Sequence, residues 1–185
     1  MKRAALLYAL LAACAPQEPL PIHYSIPAFE LTAQDGRKFS SQSELQDKIW
    51  VADFIFTTCT GPCPRMSRQM KQVHEATSDL ANLRYVTFTV DPKNDTPEVL
   101  AAYAKRYAAD TSRWSFLTGS QEDLHRLKLE AFKLGSVDGS LNHSTRFVLV
   151  DRKSRIRGFY GTTGEDGIPQ LLRDLKQLAN EHDPA

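Results

Sequence analysis

Charge of one sign is what this chain conspicuously lacks. Its 23 lysines and arginines nearly balance 22 aspartates and glutamates, leaving a formal net charge of +1. No strongly basic stretch stands out, so the electrostatic footprint of a nucleic-acid-binding protein is missing and no nucleic-acid partner is expected. A long acidic or basic tail is absent too, as are internal repeats and low-complexity tracts. Cysteine is scarce, at three in 185 residues. A chain of this length can bury a full core without disulfide or metal staples. With 42% hydrophobic and 24% charged residues, its composition is that of an ordinary globular domain.

The only early apolar run, residues 4–13, is too short to span a bilayer as a helix. It follows Lys2 and Arg3 and ends in Leu11-Ala12-Ala13-Cys14. A positive start, an apolar stretch and small residues before a cysteine resemble a bacterial lipoprotein signal. That resemblance implies cleavage before Cys14 and lipidation of Cys14. The protein is then expected to be exported and membrane-anchored, facing the periplasm or the cell exterior. Pro16, Pro19 and Pro21 forbid a helix next, and residues 14–26 are expected to form an extended tether. The folded domain is expected over residues 27–185.

If Cys14 carries lipid, Cys59 and Cys63 remain as a pair. In an oxidising compartment such a pair is a disulfide, a redox couple or a metal site. A structural staple is a poor reading, because the loop it would close is too small to constrain much chain entropy.

Hydrophobic patterning divides the rest of the chain. Residues 29–39 read as a hairpin turning at Asp35-Gly36, and residues 49–56 as a strand buried on both faces. Asp53 interrupts that strand and calls for an edge or a partner. Residues 57–64 are expected as a loop. A helix should follow over 65–76, with Pro64 in its first turn and Met66, Met70 and Val73 on one face. A second strand falls at 83–90. Thr96 caps a helix beginning at Pro97, with Glu98 placed to complement the helix dipole. A short strand at 114–117, a helix over 121–133, strands at 145–150 and 156–160, and a helix over 168–181 complete the order. Strands alternating with helices mean an α/β sandwich. The expected arrangement is thioredoxin-like: a central mixed sheet, flanking helices and an N-terminal β-hairpin. In such sheets functional groups gather at the carboxyl ends of the parallel strands, where the two thiols fall.

Cys63 beside a helix N-terminus is expected to have a lowered thiol pKa. Three residues separate the cysteines, Gly61 and Pro62 among them, unlike the two-residue gap of thioredoxin-type redox motifs. The wider spacing lets both sulfurs face one ion. His143 precedes the strand that should lie opposite the thiols, where thioredoxin-like reductases carry a cis-proline. No proline occurs between Leu134 and Asp166, and the imidazole suits a third ligand. Two thiolates and one imidazole form a soft donor set. Such a set favours copper, Cu(I) or Cu(II), although zinc with a water ligand also fits. Met66 can add a thioether or simply fill the core. His23, His74, His125 and His182 read as surface residues, and Trp50 and Trp114 as core.

At these positions the chain resembles the Sco (SenC/PrrC) family, copper chaperones of cytochrome c oxidase assembly. The resemblance covers residues 27–178. It rests on three ordered elements: Cys59-Thr60-Gly61-Pro62-Cys63-Pro64 after Phe54-Ile55-Phe56-Thr57, then Val90-Asp91-Pro92-Lys93-Asn94-Asp95-Thr96-Pro97, then His143-Ser144-Thr145-Arg146-Phe147. It implies Cys59, Cys63 and His143 as copper ligands and Asp91 close behind them. The implied partner is cytochrome c oxidase subunit II, at its CuA site, or another copper-accepting protein, and the implied state is a monomer. The loop 134–142 is shorter than the family's, Asn142 stands where an aspartate often precedes the histidine, and a lipid on Cys14 replaces the usual transmembrane helix. Two enzymatic alternatives stand beside this reading. One is a thiol–disulfide reductase that maintains the oxidase cysteines through Cys59 and Cys63. The other is a thiol peroxidase built on Thr60 and Cys63, which Phe56 in place of the expected proline speaks against.

Overall fold

The computed structural model describes residues 18–135 and 144–181. Within them seven strands form one mixed sheet. The chain opens with the expected hairpin, β1 (Glu30–Ala33) and β2 (Lys38–Ser40). Gly36 turns it, with a φ of +79° that a side chain would resist. A single helical turn, α1 (Ser41–Glu44), leads to β3 (Ile49–Ile55), every residue of which is buried. Then come α2 (Pro62–Ala76), β4 (Leu83–Thr89), α3 (Pro97–Arg106), β5 (Trp114–Thr118) and α4 (Gln121–Arg126). The antiparallel pair β6 (Arg146–Val150) and β7 (Ile156–Gly161) precedes the last helix, α5 (Gly167–Asn180). The sheet order is β2-β1-β5-β4-β3-β6-β7, with β3, β4 and β5 parallel. On either side of these three, β1 and β6 run antiparallel.

Strand alternation supplies a core on each face of the sheet. Ile49, Val51 and Ile55 of β3 join Met66, Met70 and Val73 of α2, Leu100 and Tyr103 of α3, and Leu171, Leu175 and Leu178 of α5. Trp50, Ala52 and Phe54 point the other way, toward Phe29, Phe88, Leu124 and Phe132. Trp50 and Trp114 are both buried, as their size suggests. His74 departs from the surface placement: it is half-buried, packed edge-on against Tyr85 at 5.0 Å. Burial holds its pKa below the usual histidine value.

Three boundaries differ from expectation. Helix α2 begins at Pro62 rather than Arg65. Pro62 supplies a pre-set φ at the first helical position, and Pro64 fits two residues later because first-turn N–H groups have no intrahelical acceptor anyway. The helix expected over 121–133 ends early as an α-helix and continues as one π-helical turn, Leu127–Ala131. Phe132 N donates to Leu127 O across it at 2.9 Å. The wider turn lets Leu127, Ala131 and Phe132 all reach the core. At the start of α4, Ser120 Oγ accepts from Asp123 N at 3.0 Å. Ser120→Ala is expected to lower stability by about 1 kcal/mol, measured by urea denaturation.

The third difference concerns the tether expected over 14–26. Its described part, from residue 18, lies docked on the domain as an extended strap, so the folded unit does not begin at residue 27. His23 N donates to Ile156 O at 2.9 Å, Ile156 N to Tyr24 O at 2.7 Å and Ile26 N to Ser154 O at 2.8 Å. The strap is fastened by Arg157, whose side chain is fully buried. Its guanidinium donates to Leu20 O at 2.6 Å and Pro21 O at 3.1 Å. It also pairs with Asp151 at 3.2 Å and Glu181 at 2.7 Å. Proline explains why the strap is extended. It does not reveal that a buried arginine elsewhere in the chain holds it down.

Candidate metal centre

The site grows out of the carboxyl end of β3. After Ile55 the chain leaves the sheet through Phe56, Thr57 and Thr58. Cys59 N donates to Phe56 O at 3.2 Å, curling the loop back toward the strand. Cys59 is 8% exposed and Cys63 not at all. Neither is in a disulfide, and a hydrogen bond joins the two side chains. Because α2 starts at Pro62, Cys63 is its second residue rather than a loop residue beside it. The one accessible edge of the pair is therefore the Cys59 side.

Burial decides the state of Cys63. The expected lowering by the helix N-terminus is overturned: the thiol pKa is pushed up to about 12, first by desolvation and next by the hydrogen bond with Cys59. A weaker opposing pull comes from the Phe56 backbone. An apolar core disfavours the thiolate more than the helix end favours it. At neutral pH Cys63 is thus a protonated thiol that must lose its proton to bind a metal.

Two buried carboxylates lie near the pair. Asp53 is in the centre of the sheet, not at an edge, and is fully buried. Strand alternation turns it to the α2 face, among the same core residues as Cys63. Its partner is Thr87, whose Oγ1 donates to Oδ1 at 2.7 Å. Trp114 Nε1 donates in turn to Thr87 Oγ1 at 2.9 Å. Oδ2 has no hydrogen-bond partner among the described residues. Desolvation raises the Asp53 pKa to about 7, against a smaller lowering by Thr87.

The second is Asp95, which sequence reasoning passed over as part of a turn. Asp95 is fully buried. Its carboxylate accepts from Thr57 N at 3.1 Å, Thr57 Oγ1 at 2.5 Å and Thr89 Oγ1 at 2.5 Å. The only sequence signal was its place, directly before the Thr96 cap and just after a parallel strand. Asp91 is half-buried in the same turn. Its Oδ2 accepts from Asn94 Nδ2 at 2.8 Å, and its N donates to Thr89 Oγ1 at 2.9 Å. Met66 is fully buried in the core on α2.

The structure therefore brings Cys59 and Cys63 together, with Asp53 buried in the same core as Cys63 and Asp95 bonded to Thr57 in the loop that leads to Cys59. Cys14 and His143 lie outside the described residues, as does His182. The described chain resumes at Ser144, ahead of β6, the strand that runs antiparallel beside β3 with Ala52 opposite Val148. Among the described residues no group of three or more His, Cys, Asp or Glu side chains is placed to hold an ion. Two adjacent thiols can do two things chemically. They can close a disulfide with loss of two electrons and two protons, or act as a soft bidentate donor that needs a further ligand.

A SCO1/SenC family model matches residues 20–180, nearly all of the folded chain. The chain belongs to the SCO1/SenC family. A relative from Stutzerimonas stutzeri, named as a copper-binding protein, is 33% identical over 174 residues, 88% of this chain and 81% of that protein. The crystal structure of a SCO1/SenC family lipoprotein from Bacillus anthracis is 34% identical, with a TM-score of 0.76 over 85% of this chain and 96% of that one. BsSco, a member of the Sco family of cytochrome c oxidase assembly proteins in which a disulfide switch was identified, is 28% identical, with a TM-score of 0.76 over 89% of this chain and all of its own. The Sco fold thus accounts for the thioredoxin-like arrangement read from the sequence. No helix among the described residues is long and apolar enough to cross a membrane.

Proposed function

We propose that this Sco protein is a copper-binding metallochaperone that holds its cargo with Cys59, Cys63 and His143 and delivers it to the CuA site of cytochrome c oxidase. The observation that carries the reading is the thiol pair itself: two hydrogen-bonded cysteines at the carboxyl end of the central parallel strand, with Cys59 the more exposed of the two. Their softness favours copper over harder ions. The relative from Stutzerimonas stutzeri, named for copper binding, supports the same cargo, and the membership of BsSco in a family of cytochrome c oxidase assembly proteins supports the destination. An open three-donor site releases its ion by ligand exchange, because an incoming thiolate from the acceptor can add before a resident ligand leaves.

Anchoring belongs to the same reading. Cys14 follows a lipoprotein-like signal, and the Bacillus anthracis relative is a lipoprotein. The protein then works from a membrane, facing the periplasm or the cell exterior, as a monomer, with Asp91 supporting the ligands from behind.

A second reading, a thiol–disulfide reductase acting on the oxidase cysteines, has its own support in the Cys59–Cys63 hydrogen bond and in the disulfide switch of BsSco. His143 separates the two, since dithiol exchange does not need it. Titration of the reduced protein with Cu(II), followed by thiolate-to-copper charge-transfer absorption, is expected to end at one copper per chain. His143→Ala should weaken binding at least tenfold. Rapid oxidation to the disulfide without a stable complex, unchanged in His143→Ala, would establish the reductase instead.

A further inference from the structure

One buried carboxylate reaches the thiol loop through direct hydrogen bonds, and it is not the one the family resemblance points to. Asp95 Oδ1 accepts from Thr57 Oγ1, and Oδ2 accepts from Thr57 N at 3.1 Å and Thr89 Oγ1 at 2.5 Å. Thr57 lies two residues before Cys59. Thr89 is the last residue of β4, and its Oγ1 also accepts from Asp91 N at 2.9 Å. Asp95 N closes the turn by donating to Asp91 O at 2.9 Å. A single side chain thus fastens the exit of β3, the end of β4 and the approach to α3 to one another.

Nothing cationic balances this group: among the described residues Asp95 forms no ion pair. Its charge is held by N–H and O–H donors alone. Charge-assisted hydrogen bonds are stronger and more directional than neutral ones, and leaving a buried carboxylate without its donors is costly. The cheapest arrangement for Asp95 therefore keeps Thr57 fixed. The chain from Thr57 to Cys59 is too short to move the thiol far while Thr57 stays in place.

We propose that Asp95 is a positioning residue for the thiol pair, holding Cys59 against Cys63 through Thr57. It touches neither sulfur. Its effect is to keep two groups at a high effective concentration, which favours any event that needs both, disulfide closure as well as metal chelation. The proposal rests on the thiol pair being the working site and is indifferent to which ion that pair carries.

The test uses the full chain equilibrated with reduced and oxidised glutathione. In that exchange the two thiols give up two protons and two electrons to form the S–S bond, and glutathione disulfide accepts them to become two glutathione thiols. Asp95→Asn should lower the equilibrium constant for disulfide formation at least tenfold, about 30 mV for this two-electron couple. Thr57→Val, which removes the hydroxyl from Asp95, should shift it the same way by at least threefold. Thr96→Ala is the comparison. It removes the α3 cap in the same loop, where Thr96 Oγ1 donates to Glu98 at 2.7 Å, and should leave the constant within twofold. A folded Asp95→Asn with the wild-type constant overturns the proposal. So does a shift in Thr96→Ala as large as in Asp95→Asn, which would mean general loosening of the loop. Should Asp95→Asn fail to fold, an unchanged constant in Thr57→Val overturns it. Because the readout contains no copper, failure of the chaperone reading leaves this result interpretable.

Discussion

Cys63→Ser abolishes tight copper binding, with an expected loss of at least a thousandfold in affinity and little change in fold. The side chain is fully buried as the second residue of α2, so a hydroxyl replaces a protonated thiol of nearly the same shape. The folding cost should stay near 1–2 kcal/mol, for a small polar group in an apolar site. The loss of binding follows from chemistry: a serine hydroxyl is a hard, neutral donor where a soft thiolate is needed. The raised pKa of Cys63, about 12, adds a second readout. Each ion bound must displace that proton, so wild-type affinity should rise about tenfold per pH unit from this thiol between pH 6 and 9. The serine variant should lose that part of the dependence. Competitive titration against a copper chelator at several pH values, with thermal melting beside it, measures both. Full affinity in Cys63→Ser would remove Cys63 from the site.

Stability should fall as pH rises from about 4 to about 7, and Asp53→Asn should flatten that fall. The folded state holds the Asp53 proton up to about pH 7, while the unfolded chain releases it near 3.8. Between those values the native state binds more protons than the unfolded state, so the slope of unfolding free energy with pH is negative. The stability is fully present below the unfolded pKa and lost as pH passes through the folded one. About three pKa units correspond to up to about 4 kcal/mol. Asp35, Glu98, Asp110 and the half-buried His74 have lowered pKa values and act in the opposite sense; the three carboxylates are largely solvent-exposed, where screening weakens them. All four are common to both proteins, so the difference between wild type and variant isolates Asp53. Asparagine keeps an acceptor for Thr87 and cannot ionise. Urea denaturation at pH 4.5, 6 and 8 is the measurement. Parallel profiles for the two proteins would show that Asp53 does not titrate in this window.

How much of this was legible beforehand depends on whether a feature is written locally. Strand β3 announces itself by an apolar run, α3 by Thr96-Pro97 and the α2 core face by Met66, Met70 and Val73, since each is a short-range pattern. The cysteine pair and its place after a parallel strand were equally readable. The start of α2 was not, because Pro62 and Pro64 are both acceptable first-turn residues and only packing chooses between them. That choice moved Cys63 into the helix and the core, where desolvation outweighed the dipole. Asp53 stood out as an interruption in an apolar strand, but its partner Thr87 comes from the neighbouring strand, 34 residues away. Asp95 was hidden for the same reason: its donors Thr57 and Thr89 converge only once β3 and β4 pair. The docked strap likewise depends on Arg157, which meets Leu20 across 137 residues.

The clamp by Arg157 also fixes the end of the domain at which the strap is fastened. Glu18 accepts from Gln177, and Leu20 N donates to Glu181, both near the last turn of α5. Arg152 bonds the final carbonyls of the same helix from just beyond β6. That is the start of β3 and β7, and the thiols lie past the other end of β3. Seven strand residues at about 3.3 Å each separate the two poles by roughly 20 Å. With lipid proposed at Cys14, three intervening residues reach at most about 14 Å to Glu18. Such a protein resembles a lamp on a short stem: its height and aim come from the rigid body, and the light faces away from the base. An acceptor would then be met above the bilayer surface, not at it, and lengthening the stem would change how widely the head swings.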